Sequence, residues 1–230
     1  MNKKIKVFLR HWNGALARKQ HIRPEWFSYE KCYRSVKNAD VDLYILLDGT
    51  KEKHHFEFDA NDNITEYHGG SDEASFLFCL NQIERYNFDD DDIIYIVEDD
   101  YLHRTGWENI MKEAFDTFDV DYVTLYDHGD KYTLEMYENL QSKILHSKNI
   151  HWRSTPSTCN TYAAKWKTFK KHWDIHVMYC LPEHTHGGYD HTKFLHLWRE
   201  GSNLISSIPG YSNHCDLQQY WSPIIDWSKI

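Results

Sequence analysis

The stretch Ile93-Ile94-Tyr95-Ile96-Val97-Glu98-Asp99-Asp100, entered from the acidic run Asp89 to Asp92, decides how this chain folds. Five apolar residues in a row, bounded by acids on both sides, predict a buried strand. The three carboxylates at its end carry a cost of their own. Crowded acids repel one another and resist desolvation, so they need water or a cation. An acidic turn in which Asp99 or Asp100 caps the next segment is the other reading of the same triplet.

Toward the N-terminus, Val41 to Leu47 is a second continuous apolar run, ending at Asp48-Gly49, and predicts a fully buried strand with a turn at its carboxyl end. Ile5 to Trp12 is a further strand candidate. Between them Phe27, Cys32, Tyr33 and Val36 fall near helical spacing behind a start signal at Pro24. Residues 51–70 are polar and less regular, with a short strand expected at His55 to Phe58, and close on Gly69-Gly70. Ser71 then caps a helix with Asp72 and Glu73 in its first turn and Phe76, Leu80 and Ile83 on one face.

Toward the C-terminus, Thr105-Gly-Trp-Glu108 has capping-box spacing, ahead of a stripe formed by Trp107, Ile110, Met111, Ala114, Phe115 and Phe118. Val123 to Tyr126 is a short strand ending at Asp127. Alternating strands and helices predict a wound, largely parallel sheet covered on both faces, with ligands beyond the carboxyl ends of its strands. Those ends carry Asp48, Glu98-Asp99-Asp100 and Asp127. The second half reads less regularly. Leu134 to Ile144 is expected helical and Ser157 to Ala163 extended. Trp166, Phe169 and Trp173 have helical spacing, and Phe194, Leu195 and Trp198 share a face of a short helix ended by Gly201.

Composition narrows the classes. With 230 residues and no low-complexity divider, one core and one domain are expected. Lys and Arg total 26 against 35 Asp and Glu, a net charge of −9 that disfavours a broad duplex-binding face. No stretch approaches the roughly 20 apolar residues that span a bilayer. The N-terminal apolar run is interrupted by Lys6, Arg10 and His11 before it could act as an export signal. Five scattered cysteines without a paired CxxC read as thiols of a reducing, cytoplasmic setting.

Two more constellations complete the chemistry. Gly187-Gly188-Tyr189-Asp190 precedes the helix bearing Phe194, so Asp190 is either a cap or a carboxylate able to take a proton from an acceptor hydroxyl. Ser212-Asn213-His214-Cys215-Asp216 follows the apolar run Leu204 to Ile208 and offers an imidazole to a metal such as Mn²⁺.

Taken in order, these segments resemble the GT-A glycosyltransferases. Ile93 to Asp100 looks like the strand bearing that family's DxD motif, in an EDD form. Gly188-Tyr189-Asp190 is similar to its xED-type motif, Ile205 to His214 to its late metal-binding segment, and Thr158 to Ala163 to its acceptor-side strand. Two departures are visible: the triplet begins with Glu, and position 189 is Tyr rather than an acid.

The resemblance implies an α/β fold, a single GT-A domain with a Rossmann-like wound mixed sheet flanked by helices. About residues 1–127 would bind the nucleotide-sugar donor, and about 128–230 a glycan or other hydroxyl acceptor. Asp100 and His214 would ligate Mn²⁺ or Mg²⁺. Glu98 or Asp99 would contact ribose or metal-bound water, Asp48 with His11 or Trp12 would border the base, and Asp190 would act as catalytic base in an inverting transfer.

Rival readings use the same residues differently. A phosphotransferase or nuclease would employ the clustered acids, and a carbohydrate-binding module would employ the aromatics as stacking platforms. Cys180, His184, His186, His191 and His196 suggest zinc, although neither a paired CxxC nor HExxH is present. Serine-nucleophile and P-loop motifs are absent.

Overall fold

The computed structural model describes residues 4–14, 23–184 and 189–230. The apolar run before the acidic triplet is β4 of a nine-stranded sheet, and its alternating side chains feed two cores. Tyr95 and Val97 join one cluster of buried apolar residues, while Ile94 and Ile96 join another. That two-sided burial is why the run is continuously apolar rather than alternating.

In chain order the first half comprises β1 (Ile5–Trp12), α1 (Tyr29–Lys37), β2 (Val41–Asp48), β3 (Asn63–Tyr67), α2 (Asp72–Glu84), β4 (Ile93–Glu98), β5 (Tyr101–His103), α3 (Trp107–Thr117) and β6 (Tyr122–Thr124). The second half adds α4 (Asp130–Thr133), β7 (Ile144–His146), β8 (His151–Ser154), β9 (Tyr162–Lys165), α5 (Trp166–Lys171), α6 (Trp173–Met178), α7 (Tyr189–Arg199), β10 (Leu204–Ile208) and β11 (Ser212–His214). The sheet order is β3-β2-β1-β4-β9-β6-β10-β8-β7, and β11 pairs separately with β5.

The first four strands of the sheet are mutually parallel, as expected of a wound α/β unit. Beyond β4 the sheet turns mixed: β9 runs antiparallel to both β4 and β6, and β8 antiparallel to β10 and β7. Helices α1 and α3 cover one face through Tyr33, Val36, Trp107, Ile110 and Met111. Helices α2, α5 and α7 cover the other through Phe76, Leu80, Phe169, Phe194 and Leu197. The result is a helix–sheet–helix sandwich, the α/β class expected. No helix among the described residues is long and apolar enough to cross a membrane.

Several local expectations are corrected. The third strand is Asn63–Tyr67 rather than His55 to Phe58, which is irregular. Only Ile45 to Leu47 of β2 is fully buried. The helix after β5 starts behind Gly106 at φ 81° with no side-chain cap, so Thr105 and Glu108 form no capping box; glycine's freedom in the left-handed region sets the start. Leu134 to Ile144 is a single 3₁₀ turn, irregular chain and the edge of β7. On α7 the buried face is Lys193, Phe194 and Leu197, whereas Trp198 is 68% exposed. Ser71 does cap α2, its side chain accepting the Ala74 N–H at 3.2 Å.

Candidate active site

The parallel strands β1, β2 and β4 end side by side, with Trp12 in register with Asp48 and Arg10 with Glu98. At that edge lies a cavity of about 390 Å³, bordered by His11, Trp12, Asp48, Glu98, Asp99, Asp100 and His214 together with Arg10, Arg23, Tyr29, Asp72 and Asp216. Every donor-side residue expected from the sequence is therefore on one cavity. Asp127 is not. It is fully buried and ion-paired to Arg153 at 2.8 Å, serving the interior of the second half.

The three acids of the triplet diverge. Asp99 turns back to the end of β1, accepting the Trp12 N–H at 2.9 Å and facing His11 Nδ1 at 3.4 Å. Glu98 accepts the Thr161 hydroxyl at 3.2 Å and lies 3.7 Å from Arg10. Asp100 meets His214 Nε2 at 3.1 Å and Arg23 at 2.7 Å, both on Oδ2. The pairing of β11 with β5 makes the Asp100–His214 contact possible, since it sets His214 opposite Tyr101 and ties Cys215 N–H to the Asp100 carbonyl at 2.9 Å.

Burial and crowding divide the charge unequally. Burial, then the neighbouring Asp72 charge, pushes Glu98 up to about 8. Burial, then Asp100, pushes Asp99 up to about 7. Asp100 resists burial because His214 and Arg23 hold it well below the usual carboxylate range. Burial would lower His214, but the Asp100 charge and hydrogen bond bring it up to about 9. One acid is thus held ionised, while burial and the neighbouring acids favour the protonated form of the other two.

On the far wall, Arg10 is buried within β1 and donates to Ser75 Oγ at 3.2 Å and to the Asp72 carbonyl at 3.0 Å, besides pairing with the Asp72 carboxylate. Asp72, Gly70 and Ser71 bring the N-terminus of α2 to the cavity. Asp48 accepts the Gly69 and Gly70 N–H groups at 3.1 and 3.2 Å, which shapes this approach. Arg10, Arg23 and Asp72 were not predicted. The only sequence signal was Arg10 interrupting an apolar strand, where a buried charge demands a partner.

Asp190 stands apart from the residues bordering the cavity. It lies in the first turn of α7 rather than at its cap, half-buried, and its Oδ1 has no hydrogen-bond partner among the described residues. Its neighbour Tyr189 links it to the cavity wall by donating to the Asp72 carboxylate and accepting from Asn160 at 2.7 Å. Burial first, partly offset by Lys193, sets the Asp190 carboxyl up at about 6. Gly187, Gly188 and His186 fall outside the described residues.

A divalent ion fits the donors at Asp100 and His214 in part. One carboxylate and one imidazole 3.1 Å apart supply two ligands on one side and leave positions for phosphate oxygens, but Arg23 must release Oδ2 and His214, raised to about 9 by Asp100, must give up its proton. Among the described residues, the zinc candidates of the rival reading form no ligand cluster. His191 contacts Tyr137 and Ser157, His196 faces Tyr179, and the Cys180 thiol contacts the His176 carbonyl. The cysteines are all free.

The fold has solved counterparts. S. aureus TarS residues 1–349 superpose with a TM-score of 0.52 at 11% identity, covering 91% of this chain and 60% of that one. The match thus spans less than two thirds of TarS 1–349. Francisella tularensis 2-C-methyl-D-erythritol 4-phosphate cytidylyltransferase gives 0.49 at 12% identity over 99% and 97% of the two chains. A CMP:2-keto-3-deoxy-manno-octonic acid synthetase complexed with CTP gives 0.47 at 10% over 91% and 92%. No protein-family model and no curated protein matches the sequence.

Proposed function

We propose that the chain is a metal-dependent glycosyltransferase that moves a sugar from a nucleoside-diphosphate donor to an acceptor hydroxyl in a cytoplasmic setting. The observation that carries this reading is the gathering of Asp48, Asp99, Asp100 and His214 with two arginines around one cavity at the carboxyl ends of parallel strands. On this assignment residues 1–127 hold the donor and 128–230 the acceptor.

Asp100 and His214 would hold Mn²⁺ or Mg²⁺, which would supply Lewis-acid stabilisation of the departing diphosphate. Arg23, once off Asp100, and Arg10 at the α2 N-terminus offer guanidinium groups to phosphate oxygens. Asp48, His11 and Trp12 border the base, and Asp99 or Glu98 receives the ribose or metal-bound water. Asp190 takes the acceptor hydroxyl's proton on its unpartnered Oδ1 while the acceptor oxygen attacks the anomeric carbon, whose bond to the nucleoside diphosphate breaks with inversion.

A thermal-shift screen of UDP-, GDP-, dTDP- and CMP-sugars with and without Mn²⁺ tests the donor claim. Stabilisation by one nucleotide sugar that requires Mn²⁺ and disappears in Asp100→Asn is the expected result. Unchanged stabilisation in that variant overturns the metal assignment. Stabilisation by a nucleoside triphosphate, with release of pyrophosphate, overturns the glycosyl-transfer reading.

A further inference from the structure

The buried imidazole of His11 looks two ways. Its Nδ1 faces Asp99 Oδ2 at 3.4 Å toward the cavity, while its Nε2 points away from it and meets His54 Nε2 at 2.6 Å. His55 stacks beside His54 with ring centroids 4.4 Å apart. One nitrogen from each of the three rings lies within 4.8 Å of the others. Among the described residues this is the three-ligand cluster that meets that distance, and the acidic triplet with His214 is not.

The protons make the cluster unusual. His54 Nδ1 lies 2.9 Å from the Phe56 carbonyl, an acceptor, and 3.4 Å from the Phe56 N–H, so the shorter contact places the ring proton on Nδ1. That leaves a lone pair on Nε2. His11 Nδ1 is buried without a hydrogen-bond partner among the described residues, Asp99 Oδ2 lying 3.4 Å away. With His54 Nε2 an acceptor, the 2.6 Å contact is a hydrogen bond when His11 carries its proton on Nε2, and a lone-pair repulsion that a cation between them removes when it carries it on Nδ1. Burial lowers the proton affinity of all three rings, which keeps them neutral and able to ligate.

We propose that His11, His54 and His55 form a three-imidazole site for a divalent transition metal of the zinc type. Imidazole ligands suit zinc, cobalt or nickel rather than the oxygen-seeking magnesium, and three of them leave one position open. Two nitrogens bound tetrahedrally at about 2.0–2.1 Å lie roughly 3.3 Å apart, so the His11–His54 contact must widen by about 0.7 Å. His54 and His55 belong to the irregular segment before β3 and His55 is exposed, so side-chain movement there is the available adjustment. The His54 Nδ1 contact with the Phe56 carbonyl is the outer-shell pattern that orients a metal-bound imidazole. The ion pins this irregular segment to the end of β1. Through His11 it also braces Asp99 at the cavity wall. The site is separate from Asp100 and His214 and stands whether or not they bind metal.

The test is a titration of the full chain, stripped of metal, with Co²⁺ alone, followed by visible absorption and by competition with Zn²⁺. Up to one equivalent, the d–d bands of a four- or five-coordinate ion are expected, and Zn²⁺ should abolish them. His55→Ala, at an exposed position where folding is not at risk, should weaken binding at least about tenfold. His214→Gln should leave the bands unchanged. Absence of bands, or undiminished affinity in His55→Ala, would mean that His11 and His54 merely share a proton, and overturns the site. Bands lost in His214→Gln but kept in His55→Ala would place the ion at Asp100 and overturn it as well.

Discussion

Asp72→Asn is the substitution whose cost is set most directly by the geometry. The Asp72 carboxylate accepts from two long-range partners, the Arg10 guanidinium and the Tyr189 hydroxyl, so it joins β1, α2 and α7 at the cavity wall. Asparagine keeps the shape and one acceptor oxygen but removes the charge. Charge-assisted bonds are worth about 1.5–3 kcal/mol and neutral ones about 0.5–1.5, so two such exchanges cost roughly 2–3 kcal/mol. The two partners differ in exposure: the Arg10 side chain is 4% exposed and that of Asp72 41%. Solvent screening on the acid side discounts the figure, and about 2 kcal/mol remains.

For a chain of this length that corresponds to a melting-temperature drop of about 4–8 °C. The pH dependence has a definite sign. Burial opposes the Asp72 charge, but Arg10 and Tyr189 leave its carboxyl below the ordinary value. Its contribution is therefore complete above the unfolded-state value near 3.9 and disappears as pH falls through the folded one. Urea unfolding of wild type and variant at pH 7 and at progressively lower pH is the assay. The deficit should be full at pH 7 and shrink below about pH 4. A deficit under 0.5 kcal/mol at pH 7, or one that persists unchanged in acid, refutes the reasoning.

Three further outcomes are expected. Asp190→Asn should cut kcat by about 10²–10⁴ with donor binding unchanged, and wild-type turnover should fall as pH drops through about 6, where burial sets this base. Steady-state kinetics against pH check both, and a flat profile over pH 5–7 removes Asp190 from the chemistry. Leu9→Ala, in β1 at 1% exposure, should cost about 2–5 kcal/mol in chemical denaturation. Ser71→Ala removes the acceptor of the Ala74 N–H and should cost about 1 kcal/mol, while substitution by Asp should restore it.

The parallel half of the fold was legible because its signals are local. A strand buried on both faces reads as an apolar run, and β2 and β4 were visible for that reason. The helix at Asp72–Glu84 announced itself through its cap and first-turn acids. Where packing overrode local preference, the reading failed. Trp198 has core-like chemistry but lies on the exposed side of α7, and Lys193 is buried in its place, donating to Asn160.

By itself the sequence determined β1, β2, β4 and β6 with the helices between them, and the acids at those strand ends. Only the tertiary structure decided how partners meet. The resemblance had already joined Asp100 to His214, 114 positions away; the structure adds the β5–β11 pairing that brings them together, and Arg23 at Asp100 across 77 positions. Arg10 meets Asp72 across 62, and His11 meets His54 across 43. Local preferences act over a turn or a strand, whereas a buried charge or an imidazole lone pair must be satisfied by whatever the closed chain brings near. Those partners are properties of the assembled sheet edge, and no spacing along the chain encodes them.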